Sequence, residues 1–187
     1  MSDMHAEREE GKRPGDADDE DAVAVPFIKF IPELGKFELD KDAEQFLKGL
    51  GDTKLGVVAV CGKYRTGKSY LLNKLFVEPY FQKKNRQKSA PVFTVSPTIN
   101  ACTKGLWLWK RVIKTGENDV SMIVVDTEGL GAYDEDENHD SKIFLLALLL
   151  SSLLIYNSVG TIDENALNSL SLVINLAKKI QLKKNPG

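Results

Sequence analysis

The chain has 187 residues, of which 42% are apolar and 28% charged, and its formal net charge is −2. That length suits one domain with a sizeable core, and the balance excludes a wholly disordered chain and a strongly basic nucleic-acid binder. Two cysteines, Cys61 and Cys102, exclude a disulfide framework and fit a reduced, cytoplasmic compartment.

Residues 1–22 are dense in acids and lack apolar periodicity, so they read as a disordered acidic tail without the features of a signal peptide. The remainder, 23–187, is mildly basic, too weakly for nucleic acid but suited to an anionic ligand. Pro26–Ile31 and Lys36–Leu39 flank Pro32-Glu33-Leu34-Gly35 and predict a hairpin. Asp40 is a candidate N-cap for a helix through Leu50, with Phe46 and Leu50 on one face and Gly51 as its stop.

Leu55-Gly56-Val57-Val58-Ala59-Val60 has the β-branched, apolar character of a buried strand. It runs into Gly62-Lys63-Tyr64-Arg65-Thr66-Gly67-Lys68-Ser69, which reads G-x4-G-K-S, and then into a helix from Tyr70 that is expected to end before Pro79. Strand, glycine loop and helix in this order form a phosphate-binding loop. Gly62 and Gly67 let consecutive N–H groups turn inward on a phosphate chain, and the helix N-terminus adds partial positive charge. Lys68 is placed to reach the β- and γ-phosphates, and the Ser69 hydroxyl to bind Mg²⁺.

Residues 77–105 are polar and irregular, with a basic cluster at Lys83, Lys84, Arg86 and Lys88 that reads as a solvated face. Leu106–Ile113 and Ser121–Asp126 read as an antiparallel pair, with Trp107 and Trp109 in the core rather than in a stacking platform. Asp126-Thr127-Glu128-Gly129 ends the second strand, where a carboxylate lies beside the phosphate loop of an open α/β sheet. Asp126 is then a second Mg²⁺ contact, Gly129 N–H a γ-phosphate sensor, and Thr103 a further hydroxyl for the metal from the preceding loop.

Asp134–Asp140 reads as an acidic loop with His139 facing solvent, since the glycine and terminal glutamate of a Ca²⁺ loop are missing. A buried helix over Ile143–Leu150 and a buried strand over Leu153–Tyr156 follow. The apolar run from Ile143 to Tyr156 is shorter than the roughly 20 residues that span a bilayer, so no membrane anchor is expected. Thr161-Ile162-Asp163-Glu164 is a capping box that opens a helix to about Gln181. The fold class expected is α/β: a P-loop NTPase with a mostly parallel sheet flanked by helices, incomplete at its C-terminus.

Several blocks resemble the guanylate-binding proteins, large dynamin-related GTPases. They are Gly62–Leu75, Thr103-Lys104-Gly105-Leu106-Trp107-Leu108-Trp109, Asp126-Thr127-Glu128-Gly129-Leu130-Gly131, and Leu150-Ser151-Ser152 through Tyr156-Asn157-Ser158-Val159-Gly160-Thr161-Ile162. The resemblance covers about residues 25–182 and makes 23–187 part of a GTPase domain. It implies GTP as substrate with Mg²⁺, and a nucleotide site of Gly62, Lys63, Tyr64, Arg65, Thr66, Gly67, Lys68, Ser69, Tyr70, Thr103, Asp126, Thr127, Glu128, Gly129 and Leu130. Within it Arg65 matches an internal arginine finger, Lys68 a phosphate contact, and Glu128 a glutamate that helps orient the attacking water. Ser69, Thr103 and Asp126 match the metal positions, and pairing through the nucleotide face implies a GTP-dependent homodimer.

Two departures stand out. Animal members carry a serine at the Ala101 position, and its hydroxyl helps hold the water. The Arg-Asp pair with which the family reads guanine lies on a strand beyond Gln181, and no N-K-x-D replaces it. The sequence therefore also accommodates a non-catalytic module that binds nucleotide and pairs through the same face.

Overall fold

The computed structural model describes residues 23–83, 91–95, 105–116, 120–131 and 137–160, together with 167, 168, 171 and 175. The proposed acidic tail, the loop carrying Ala101 and Thr103, most of the basic cluster and the capping box at Thr161 lie outside the described residues.

The sequence alternates strands and helices, and the chain folds as an α/β sheet with helices on both faces. The strands are β1 (Ala24–Ile31), β2 (Lys36–Leu39), β3 (Leu55–Gly62), β4 (Leu106–Trp109), β5 (Ile113–Lys114), β6 (Ser121–Thr127) and β7 (Leu153–Asn157). They form one seven-stranded sheet in the order β2-β1-β4-β6-β3-β7, with β5 also on β6. Parallel pairing is confined to β3 with β6 and β3 with β7. The other ladders, β1–β2, β1–β4, β4–β6 and β5–β6, are antiparallel. The sheet is therefore mixed and not mostly parallel as expected: the α/β fold holds, but the parallel ladders are only those beside β3, where the phosphate loop leaves it.

The core divides by strand parity. Val60 and Val124 point to one face and pack with Leu72, Val77, Phe81, Phe93 and Trp109. Their neighbours Ala59, Ile123 and Val125 point to the other, against Ala43 of α1 (Lys41–Gly49) and Ile143 and Ala147 of α4 (Glu137–Leu150). Period-2 alternation buries both faces, which is why β3 and β6 read as continuous apolar runs. Trp109 is fully buried, as its core reading requires.

Local chemistry sets the element ends as expected in the first third of the chain. Gly35 turns the hairpin with φ +58, the Asp40 carboxylate accepts the Asp42 N–H at 3.0 Å, and Gly51 stops α1 with φ +55.

Four further expectations need correction. The strand over Leu106–Ile113 is broken, because the Arg111 N–H donates to the Trp109 carbonyl at 2.7 Å and makes a three-residue turn between β4 and β5. The helix after the phosphate loop does not stop before Pro79. It runs as α2 (Lys68–Leu72), a wide turn over Asn73–Val77, and α3 (Glu78–Lys83). In that turn Glu78 N–H reaches back five residues to the Asn73 carbonyl, which opens the ladder where a proline ring would otherwise crowd it. The helix expected from Ile143 starts at Glu137, so part of the acidic stretch is its first turn. Finally, β7 is half-buried and not buried, since it pairs only with β3 among the described strands and Leu153 is 55% exposed.

No helix among the described residues is long and apolar enough to cross a membrane.

Candidate functional site

The site is built where β3 ends. Cys61 is fully buried, and burial pushes its thiol up to about 12, with the Lys68 charge opposing. Gly62 follows at φ +147, where a Cβ would stand 2.0 Å from the Asn157 carbonyl oxygen, so the loop can leave the sheet here only as glycine. Thr66 Oγ1 donates to the Lys63 carbonyl at 2.9 Å, and Asn157 Nδ2 donates to the Thr66 carbonyl at 2.8 Å. The loop is therefore pinned across its own base and from the end of β7. Arg65, at its crest, is exposed and sits in the left-handed region at φ +60, a conformation that a non-glycine residue adopts at some cost. Its guanidinium lies 5.9 Å from the Tyr64 ring centroid.

Gly67, at φ +85, hands the loop to α2, and its carbonyl accepts the Leu71 N–H at 2.8 Å. The first N–H groups of a helix have no partner inside it, and these belong to the residues that face the loop. Lys68 is only 6% exposed, and its Nζ donates to the Lys63 carbonyl at 3.1 Å. Burial pulls its pKa below the usual lysine value, and the nearby Asp126, Cys61 and Glu128 oppose that shift. A desolvated ammonium on a pinned loop is a seat for an anion.

Ser69 Oγ donates to Asp126 Oδ2 at 2.5 Å, and the Thr127 N–H donates to Asp126 Oδ1 at 3.0 Å. A hydroxyl and a buried carboxylate brought together are hard oxygen donors of the kind Mg²⁺ takes, and one or two such ligands are its usual share from protein. Ser69 and Asp126 therefore fit the expected ion. Thr103, the third expected ligand, lies outside the described residues.

The segment after β6 is fastened onto the phosphate loop. Leu130 N–H donates to the Gly62 carbonyl at 3.1 Å, and Tyr64 N–H donates to the Leu130 carbonyl at 2.8 Å. Gly129 sits between them; a Cβ there would be 2.4 Å from Tyr64 Cα. Thr127 turns inward and donates to the Val60 carbonyl at 2.8 Å, so it braces the strand end and does not face the loop mouth. Tyr70, further along α2, is exposed with the Lys74 ammonium 5.6 Å from its ring centroid.

Glu128 is 5% exposed. Its Oε2 accepts the Gly105 N–H at 2.5 Å, its own N–H donates to the Gly105 carbonyl at 2.9 Å, and its Oε1 bonds to His139 Nε2. His139 is thus not the solvent-facing loop residue that its acidic neighbours suggested. It lies in the first turn of α4, 5% exposed, with its ring stacked at 5.7 Å on Phe37 and set edge-on at 4.7 Å to Phe30. The missed signal was helical spacing: His139 precedes Ile143 and Ala147 at steps of four, and both of those are fully buried. Beside it, Asp140 Oδ2 accepts the Gly131 N–H at 2.6 Å.

Asn73 was also missed. Buried in the wide helical turn, its Nδ2 donates to the Phe93 carbonyl at 2.8 Å, and its Oδ1 accepts from Val92 and Phe93 N–H, both at 3.1 Å. It ties the helix of the phosphate loop to the segment leading toward Thr103.

Comparison with known proteins matches residues 34–187 to the family described as guanylate-binding protein, N-terminal domain. The chain is 42% identical to human guanylate-binding protein 2 over 132 residues, which covers 70% of this chain and 20% of that protein. It is 37% identical to guanylate-binding protein 1 of Chlorocebus aethiops over 153 residues, 81% of this chain and 24% of that protein. With human guanylate-binding protein 4 it shares 35% identity over 174 residues, 92% of this chain and 25% of that protein. The chain therefore spans a quarter or less of the length of these curated relatives.

Proposed function

Because this chain belongs to the guanylate-binding protein family, matching its N-terminal domain, we propose that it binds GTP with Mg²⁺ and hydrolyses it to GDP and phosphate. The observation that carries this reading is a buried Lys68 on a pinned glycine loop, facing the Ser69–Asp126 oxygen pair.

Phosphoryl transfer asks a protein mainly for positioning and for charge set where charge develops. Backbone N–H groups from Arg65 to Ser69 hold the phosphate chain, with Lys63, Tyr64, Thr66 and Tyr70 lining its path. Lys68 neutralises the β- and γ-phosphates, and Arg65, exposed at the loop crest, swings over the γ-phosphate to stabilise the charge that builds there. Gly129 N–H senses that phosphate, and Leu130 keeps the sensing segment in register with the loop. Glu128, just past the end of β6 and beside the loop, orients the attacking water. Ser69, Asp126 and Thr103 would hold Mg²⁺, which when bound would offset negative charge on the phosphates. Pairing of two copies through the nucleotide face and a cytoplasmic setting complete the proposal.

The experiment is Mg²⁺-dependent binding of fluorescent GTP and ATP analogues to the whole chain, with phosphate release followed alongside, for wild type and Arg65→Ala. GTP preference with turnover, and a loss of roughly 10³-fold or more in rate for the variant at similar binding, is the expected result. Binding indifferent to the base, without turnover, would leave a phosphate cradle and overturn the enzyme reading.

A further inference from the structure

Glu128 has its carboxylate almost wholly removed from water, and a buried carboxylate persists only where donors hold it. Two of its contacts are the Gly105 N–H on one oxygen and His139 Nε2 on the other. Gly105 immediately precedes β4. It packs closely on β1, because at φ +74 a Cβ there would stand 2.2 Å from the Ile28 carbonyl oxygen. On that same strand Phe30 meets the His139 ring, and Phe37 of β2 stacks on it. The β1–β4 register shifts between Pro26 and Ile28, the residue whose carbonyl Gly105 approaches. The hairpin thus touches the Glu128 node twice, once through the backbone at Gly105 and once through two rings around His139.

We infer that His139 is a positioning residue for the reaction: held by the β1–β2 hairpin, it fixes the Glu128 carboxylate on the Gly105 amide and so keeps Glu128 in place to orient the attacking water. An imidazole with its proton on Nε2, or an imidazolium, donates to Oε1; the ring packing keeps that nitrogen aimed. Without that donor, Oε1 loses the His139 contact and the carboxylate is held less firmly against the Gly105 amide. The inference rests on the GTPase reading, but its anchor is a contact that can be followed without turnover.

The test compares wild type, His139→Phe and His139→Gln in the whole chain. Phenylalanine keeps a ring between Phe30 and Phe37 and removes the donor, whereas the Gln amide restores a donor near the Nε2 position. The expected result is a fall in kcat of about 10- to 100-fold for H139F, with affinity for a GTP analogue within about twofold and most of the rate recovered in H139Q. Losses in both variants that merely track their thermal midpoints, or an unchanged kcat in H139F, would overturn the proposal. If H139F does not fold, Phe37→Leu decides: reduced kcat at unchanged affinity upholds the coupling, and unchanged kcat refutes it. A wild-type chain without turnover counts against the GTPase reading alone. Hydrogen exchange at the Gly105 amide then decides, since exchange about tenfold faster in H139F but not in H139Q supports the anchor, and identical exchange in all three refutes it.

Discussion

Lys68 is where charge and burial disagree most in this chain. Its folded pKa lies below 10.5 because burial outweighs the help of Asp126 and its neighbours. A base depressed in the folded state costs stability in full below its folded pKa, and the cost fades as pH rises toward 10.5. A bound phosphate removes the same cost. Lys68→Met should therefore weaken binding of a GTP analogue by about 10- to 100-fold, the worth of a charged hydrogen bond, without lowering the thermal midpoint of the nucleotide-free chain. Cys61 behaves with the opposite sign. Its thiol is raised from 9.0 to about 12, so the stability it contributes is intact below pH 9 and lost as pH climbs through 12. Denaturation midpoints measured between pH 8 and 11 should fall in wild type and fall less in Cys61→Ala. Lys68, Ser69 and Asp126 were legible in the sequence because their chemistry is carried by motifs a few residues long. His139 was not, because its partner Glu128 stands eleven residues earlier in the sequence, just past β6, and an acidic run reads as solvent until the helix behind it is extended upstream.

At the scale of elements, the helix leaving the phosphate loop is the least ordinary. Its wide turn places Asn73 so that one amide serves two N–H groups and a carbonyl of the Val92–Phe93 segment. Truncation leaves all three buried and unpaired, at about 1–3 kcal/mol each. Asn73→Ala should cost about 3 kcal/mol or more in urea unfolding, and Asn73→Asp, which keeps the acceptor, should cost less. The strand–loop–helix order was readable because apolar periodicity changes from two to 3.6 at the glycines. The continuation past Pro79 was not, since a proline normally ends a helix and only the shifted ladder, absent from any local pattern, makes room for it. The break at Arg111 was equally hidden: it is one backbone hydrogen bond inside a run of strand-forming residues.

For the whole molecule, the sheet is asymmetric. Beyond β4 it continues into the β1–β2 hairpin, whereas on the other side β7 pairs only with β3 among the described strands. There Leu149, Leu150, Leu153 and Val159 are exposed, and an apolar strand edge is a template for pairing with other chains. Leu153→Lys should reduce light scattering of the concentrated chain while leaving its circular dichroism unchanged. The same sheet has a consequence for how the chain is made. Val58 pairs with Val124 and with Leu153, so the central strand waits for its first neighbour until β6 has been synthesised and for its second until β7 has. Such long-range pairing is slow, and until it happens the most apolar strand has no ladder on either side. Folding on the ribosome should begin with the hairpin and α1, whose contacts are local, and leave the phosphate loop among the last parts to take shape.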